Sequence, residues 1–290
     1  MYRIDKPIVA AVRLDESATE VLRQAVEMAR HYQVKLHVCH VLPDLLSVRP
    51  LFPHLQLENA LRLAEFEAAA RGALYSRVAA FVDPDGDDCE LLVECGTAHS
   101  AILRAAERIG AGLIVVGHGS PGQMLSGTPE RVVRYAHCPV LVARPAAGGC
   151  VLAATDFSDP ATPAVEAAAS EAKRRARDLV IIHAIDIVRS VLAPDATMPD
   201  LPPIDLLDEV RQASRERLDS YVAQFTAQGN ILTHGPAETA ILEATKSLPA
   251  DLVVVGTHGR TGLGRLALGS VAEAVVREAG CSTLVVRLNS

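Results

Sequence analysis

Positions 251–270 read Asp251-Leu-Val-Val-Val-Gly-Thr-His-Gly-Arg-Thr-Gly-Leu-Gly-Arg-Leu-Ala-Leu-Gly-Ser270. The apolar run after Asp251 has the composition of a buried strand, and a helical pattern begins at Val271. A strand, a glycine-rich turn and a helix start together favour phosphate binding, because backbone N–H groups and the helix dipole face the anion. Glycines also remove side chains where the backbone approaches a ligand. We therefore predict a phosphate-binding loop here.

The elements around this loop occur twice in the chain in the same order, which indicates two copies of one unit. The segment 145–149, made of proline, alanine and glycine, separates the copies, so we predict one domain over residues 1–146 and another over 147–290. The matching segments are 8–12 with 151–155, 36–41 with 179–184, 96–102 with 235–241, 113–117 with 252–256, 130–134 with 273–277, and 138–142 with 281–285.

Each copy alternates short apolar runs with longer helical patterns, which predicts an α/β fold of two tandem doubly wound, Rossmann-like parallel sheets. Ser158 or Asp159 is expected to cap the first helix of copy two, with Pro160 in its first turn. Ligands in such sheets bind beyond the carboxyl ends of the strands. For copy two we predict strands at 151–155, 179–184, 231–233, 252–255 and 283–287, and helices at 160–177, 205–228, 237–247 and 271–278.

The composition narrows the class of protein. Apolar residues make up 49% of the 290 residues, but aromatic residues only 3%, so we expect aliphatic cores. The net charge of −7 argues against a non-specific nucleic-acid binder. The six cysteines have no zinc spacing and are expected to be small buried hydrophobes in a reducing cytosol. We find no signal-peptide pattern and no membrane-length apolar run, and expect a cytoplasmic protein without nucleic-acid or membrane partners.

Two nucleotide-binding classes fit the sequence poorly. The Walker pattern of P-loop NTPases is absent. Residues 117–122 fit the dinucleotide pattern GxGxxG, and residues 262–267 fit its alanine variant. Both lie late in their copies rather than after the first strand, and neither is followed by an acid about 20 residues on. A Rossmann dehydrogenase is therefore disfavoured.

The spacing Gly-x-x-Gly, nine residues, Gly-Ser resembles the ATP loop of the universal stress protein family. Gly256, Gly259, Gly269 and Ser270 match it without a gap. The resemblance extends to segments 154–156, 183–184 and 281–287, and covers nearly the whole chain as two tandem domains. It implies a fold like that of the adenine nucleotide alpha hydrolases.

The resemblance also implies an ATP site in copy two. Thr155 and Asp156 would flank the ribose and adenine, and the backbone of Ala184 would bind the adenine edge. Mg²⁺ or Mn²⁺ would be carried by the phosphates, with no metal bound directly by the protein. The implied ATP-binding residues are Ala154, Thr155, Asp156, Ala184, Val255, Gly256, His258, Gly259, Gly269, Ser270 and Val271.

Some of these residues have plainer interpretations. His258 could be a hydrogen-bonding loop residue, and Asp156 could serve only to cap the following helix. Arg260 and Arg265 could contact phosphate or be solvated loop charges.

Copy one departs from the pattern. Arg13 occupies the position of Asp156, and only seven residues separate Gly119 from Gly127, against nine between the matching glycines of copy two. Aligning Glu130 with Glu273 puts Ser126 at the position of Gly269 and Gly127 at that of Ser270, and Pro121 removes an N–H donor. We predict that copy one does not bind ATP in the family manner. Alternatively, a smaller anion could bind to the residues Arg13, Gly117, Gly119 and Gly122.

The resulting hypothesis is an ATP-binding stress-response and signalling module, with ATP in the C-terminal domain only and no catalytic residue assigned. Domains of this family usually pair through their last strands, so we expect 140–143 and 283–287 to pair within the chain as a pseudo-dimer. Two chains could associate further as a homodimer, and the protein partner is unknown. A slow ATPase or self-phosphorylating enzyme using Asp156, His258 or Ser270, and a nucleotide-free scaffold, are the alternatives.

Overall fold

The computed structural model describes residues 2–43, 59–118, 127–145, 148–186, 204–257 and 268–287, without the side chains of 59–63 and 204–206. The chain forms two compact units. One is Ile4–Arg144, and the other is Pro145–Ser290 together with Met1–Arg3. The proline-rich segments 42–53 and 194–203 lie outside the described residues, apart from Leu42 and Pro43.

In the unit Ile4–Arg144 every paired strand is parallel to its neighbour, in the order β3-β2-β1-β4-β5. Its helices and strands are β1 (Ile8–Val12), α1 (Ala18–Tyr32), β2 (Leu36–Leu42), α2 (Asn59–Val78), β3 (Cys89–Cys95), α3 (Ala98–Ile109), β4 (Leu113–Gly117), α4 (Thr128–Tyr135) and β5 (Val140–Ala143).

The other unit repeats this arrangement with the order β10-β9-β6-β7-β8, again with parallel pairs. The predicted α/β class of two tandem parallel sheets is confirmed. Its elements are β6 (Val151–Ala154), a 3₁₀ helix (Asp159–Ala161), α5 (Thr162–Arg175), β7 (Leu179–Ile185), α6 (Ile204–Phe225), β8 (Gly229–His234), α7 (Ala237–Ser247), β9 (Leu252–Gly256), α8 (Ser270–Glu278) and β10 (Ser282–Val286).

The order of strands creates a switch point beside the first strand of each unit. From β6 the chain proceeds outward to β7 and β8, then crosses back to β9 on the other side of β6. Because such crossovers are right-handed, α5 and α6 lie on one face of the sheet, and α7 and α8 on the other. The register pairs Ala153 with Val254, so Thr155 and Gly256 are level with each other at the carboxyl edge. A ligand crevice is expected at this point.

The helix boundaries differ from the sequence expectations for local reasons. The first helix of the second unit was expected from Pro160, but a 3₁₀ turn comes first and α5 begins at Thr162. Ser158 is the N-cap of that turn, yet its hydroxyl makes no capping bond, because it donates to Asp156 instead. The helix α6 ends at Phe225, since Thr226 adopts a left-handed φ of 55°.

The core is aliphatic, as the composition predicts. The first four residues of β4 and of β9 are fully buried, as is typical of parallel strands covered on both faces. Four cysteines, Cys39, Cys89, Cys138 and Cys281, are buried. Burial raises the pKa of Cys39 to about 12, so this group remains a thiol. Cys95 is an exception to the expectation, because it lies exposed at the end of β3.

The start of the second unit is fixed to the amino end of β9. The Gly148 N–H donates to the Asp251 carboxylate at 2.5 Å, and the Asp251 N–H donates to the Cys150 carbonyl at 2.8 Å. Arg177 pairs with the other oxygen of Asp251 at 3.1 Å. Gly149 lies so close to the chain that a Cβ there would be 1.8 Å from the Pro249 carbonyl oxygen. Only glycine fits this position without moving the backbone.

We predict that Gly149→Ala lowers the free energy of unfolding of the second unit by about 2 kcal/mol, because the new methyl group must displace the Pro249 carbonyl. Urea unfolding followed by circular dichroism measures this change. Gly280→Ala is the matched control, since a Cβ there meets nothing within 4 Å. Equal stability of the two variants would contradict the account of this turn.

Candidate functional site

Three backbone segments meet at the carboxyl edge of the second sheet. They are residues 154–156 after β6, residues 255–257 at the end of β9, and residues 269–271 at the start of α8. Ala184, in the last part of β7, lies on the other side of β6. Of the predicted site residues, His258 and Gly259 lie outside the described residues, as do Arg260 and Arg265. The remaining nine are brought to this edge.

The ends of the glycine loop are joined by one backbone hydrogen bond. Thr257 is buried, and its N–H donates to the Val286 carbonyl at 3.0 Å, which extends the β9–β10 ladder. Its carbonyl accepts the Gly269 N–H at 2.9 Å. A Cβ at Gly269 would lie 3.1 Å from that oxygen, so glycine permits the close approach. The start of α8 is thereby held against the end of β9.

The helix α8 begins directly at this contact. Gly269 is its N-cap, with an extended ψ of 147°, and its carbonyl accepts the Glu273 N–H at 3.0 Å. Helix geometry leaves first-turn N–H groups without carbonyl partners inside the helix and gives that end a positive potential. Ser270 is exposed and Val271 half-buried. This end of α8 is suited to an anion.

Asp156 sits in a tight turn after β6. Its Oδ1 accepts the Ser158 N–H at 3.0 Å and the Ser158 hydroxyl at 2.5 Å. Just before it, the Thr155 hydroxyl oxygen accepts the Phe157 N–H at 3.0 Å. Asp156 therefore does not cap the helix, whose first turn has Ser158 as its N-cap. One of its carboxylate oxygens instead stabilises the turn that leads into the 3₁₀ helix.

His183 fastens β7 to the end of β6. Its Nδ1 lies 2.8 Å from the Thr155 carbonyl oxygen, and since a carbonyl only accepts, Nδ1 carries the proton. His40 makes the same contact with the Val12 carbonyl in the first unit, at 2.9 Å. The His183 ring also lies 4.2 Å from the Phe157 ring. This histidine is a structural tie between strands rather than a group directed at the ligand crevice.

Sequence reasoning missed three residues of this edge. Thr257 acts through its backbone, so its residue type carries no signal. Phe157 has a left-handed φ of 62°, which sequence does not indicate for an aromatic residue. Arg217 of α6 donates to the Phe157 carbonyl at 2.8 Å, across a sequence distance that no motif spans.

The corresponding turn of the first unit has different electrostatics. Arg13, at the position of Asp156, pairs with Asp15 at 2.8 Å. Asp15 also accepts bonds from the Ser17 hydroxyl and N–H. The Ser17 hydroxyl, and to a lesser degree Arg13, hold the pKa of Asp15 below its ordinary value. The turn carboxylate is thus displaced by two residues and neutralised by a cation.

The helix that follows the loop also differs between the units. Ala136 and Ala279 are the C-caps of α4 and α8, and each lies six residues after the aligned glutamate, which supports aligning Glu130 with Glu273. At the other end α4 begins at Thr128, one aligned position later than α8, after a Gly127 cap with a ψ of 33° rather than an extended one. Pro129 in its first turn lacks an N–H. In the first unit the helix therefore starts one residue later and presents fewer backbone N–H donors at its amino end.

The family model for the universal stress protein family matches residues 5–144 and again residues 150–287. The chain belongs to the universal stress protein family. A universal stress protein of Mycolicibacterium smegmatis is 30% identical to it over 302 aligned positions, which cover 95% of this chain and 96% of that protein. The resemblance seen in the sequence is confirmed for both copies.

Solved structures agree with the tandem fold. A universal stress protein from Archaeoglobus fulgidus superimposes with a TM-score of 0.69 at 18% identity, covering 99% of each chain. The protein PA1789 of Pseudomonas aeruginosa gives 0.71 at 21% identity, covering 98% of this chain and 93% of that one. At these identities the likeness concerns the fold alone.

In the described part of the chain, no cluster of three or more His, Cys, Asp or Glu side chains could hold a metal ion. Among the described helices, none is long and apolar enough to cross a membrane.

We predict that Gly269→Ala lowers the free energy of unfolding of the second unit by about 1 kcal/mol, because the methyl group separates α8 from the Thr257 carbonyl. Urea unfolding provides the measurement. Gly127→Ala is the control in the first unit, where the nearest atom to the new Cβ, Glu130 Oε2, is 3.9 Å away. A loss of similar size in the control would show that the close contact is not the cause.

Proposed function

We propose that the second unit binds ATP at the carboxyl edge of its sheet and that the protein is a nucleotide-dependent stress-response and signalling module of the cytoplasm. The observation that carries this proposal is the hydrogen bond between the Gly269 N–H and the Thr257 carbonyl. It holds a glycine-rich loop and a helix start at the switch point of the strand order. Open α/β sheets bind nucleotides at such points.

The phosphates would lie at the start of α8. Backbone N–H groups of Ser270 and Val271, with the Ser270 hydroxyl, would supply donors where the helix dipole favours negative charge. The Gly269 N–H stays on the Thr257 carbonyl, and Gly269 would contribute by having no side chain in the way of the phosphates. Gly256 and Gly259 would let the loop approach the phosphates closely, with Val255 and His258 beside them. Mg²⁺ or Mn²⁺ bound to the phosphates would offset their charge, and this requires no protein carboxylate cluster.

The nucleoside would lie across the end of β6. Thr155 is level with Gly256 in the strand register, so the turn after β6 and the phosphate loop face the same crevice. The Asp156 carboxylate would accept ribose hydroxyls, which suits an acceptor-only group. Ala154 and Ala184 are small and half-buried, and they would leave room for the base beside the Ala184 backbone.

ATP would bind to the second unit only. In the first unit Arg13 and Asp15 neutralise each other at the nucleoside position. The α4 start is one residue shorter and carries Pro129, so fewer N–H groups are available for phosphates. The same fold thus has two unequal carboxyl edges.

The protein would bind ATP without catalysing a reaction of it. One oxygen of Asp156 already holds the turn through its two bonds from Ser158 in the ligand-free protein, so this carboxylate has a structural task at the site. ATP would join the loop 256–270 to the β6 turn and shift the population of conformations that a protein partner binds. A pairing of the two domains and a further homodimer stay part of this proposal.

We predict that Asp156→Asn weakens ATP binding at least roughly tenfold, because the amide keeps an oxygen for Ser158 but loses the charge that ribose hydroxyls bind. Isothermal titration calorimetry with Mg²⁺ measures the affinity. Arg13→Gln is the matched variant in the first unit and should bind ATP as the unchanged protein does. No ATP binding to the unchanged protein would refute the proposal.

Incubation of the purified protein with ATP separates a sensor from an enzyme. We expect bound ATP to be recovered without ADP and without phosphate on the protein, measured by chromatography and mass spectrometry. Steady ADP release that is lost in Asp156→Asn would instead establish a slow ATPase.

A further inference from the structure

The turn after β6 contains a strained aromatic residue. Phe157 is buried and has a left-handed φ of 62°, a conformation that bulky residues rarely adopt. Such strain persists where the surroundings hold it, often at functional sites. Phe157 lies between Asp156 and Ser158, the two residues joined by the turn hydrogen bonds. The strain is therefore located at the proposed nucleoside-binding turn.

Arg217 of α6 holds this strained residue from the other side. Its Nη2 donates to the Phe157 carbonyl oxygen at 2.8 Å, and its guanidinium carbon lies 5.5 Å from the centre of the Phe157 ring. Tyr221, one turn further along α6, contacts the same ring edge-on at 5.3 Å. A single arginine thus contacts both the backbone and the side chain of the strained residue.

The first unit provides a natural comparison. Arg77 of α2 reaches the carbonyl of Leu14, the counterpart of Phe157, but at 3.5 Å. Among described non-glycine residues, left-handed backbone occurs at Gln33, Phe157, Ala176 and Thr226, so Leu14 is relaxed. The strain and the short arginine bond occur together in the unit with Asp156. At the corresponding turn of the unit with Arg13, the left-handed backbone is absent and the arginine contact is longer.

We propose that Arg217 is a positioning residue of the nucleotide site, which acts through the turn of Asp156 rather than by touching the ligand. By bonding the Phe157 carbonyl and covering its ring, Arg217 maintains the left-handed backbone of the residue that lies between Asp156 and Ser158. That turn fixes the carboxylate at the carboxyl edge of β6 before any ligand arrives. The effect of Arg217 on ATP binding rests on the proposed function, whereas its effect on the turn does not.

The first test needs no ligand. Arg217→Met keeps an unbranched apolar stem but removes the guanidinium donor, and amide hydrogen exchange of Ser158 should accelerate by roughly tenfold as the turn opens more often. Arg217→Lys retains one donor and should show a smaller increase. Arg215→Met removes a charge from an exposed position of the same helix and should leave the exchange unchanged. Unaltered exchange in Arg217→Met would overturn the proposal.

The second test measures ATP affinity in a double-mutant cycle. Arg217→Met should weaken binding by roughly tenfold in the unchanged protein, but less than twofold in the Asp156→Asn background, because both changes act through one turn. Arg77→Met should have no effect. Equal weakening in both backgrounds would show that Arg217 acts independently of Asp156 and would overturn its positioning role. Loss of ATP binding in every form, with faster Ser158 exchange in Arg217→Met, would refute the proposed function and leave the positioning of the turn intact.

Discussion

The hydrogen bond from the Gly269 N–H to the Thr257 carbonyl is the interaction on which the candidate site depends. It joins the two ends of the glycine loop and places the start of α8 beside the end of β9. Thr257 is itself buried and is held by the β10 backbone, so the contact rests on the β9–β10 ladder. The site is built from backbone groups on rigid elements, which explains why few of its side chains are chemically distinctive.

The two units show how one fold can keep its core and change its edge. Both retain the same strand order and the histidine tie between their first two strands. They differ in the turn after the first strand, where Asp156 is matched by Arg13, and in the start of the last helix. Burial constrains the core in both units, whereas a solvent-facing edge can change its charge without unfolding the sheet.

Much of the fold follows from the sequence, because apolar periodicity and the internal repeat specify alternating strands and helices. The glycine spacing likewise locates the carboxyl edge of β9. What sequence could not indicate are contacts set by tertiary structure, such as the Thr257 carbonyl and the Arg217 bond to Phe157. The predicted boundaries of α5 and α6 differ from the observed ones where a local turn competes with the helix, at Asp156 before α5 and at Thr226 after α6. The exposed Cys95 was missed because it is the last residue of its strand, whereas Cys89 at the other end of the same strand is buried.

We propose that the two units are unequal and that a chain with two copies of the fold has one nucleotide site. The stoichiometry of ATP binding to the full chain, measured by isothermal titration calorimetry with Mg²⁺, distinguishes one site from two. We expect one ATP per chain. Two equivalent ATP molecules per chain would refute the inequality of the units.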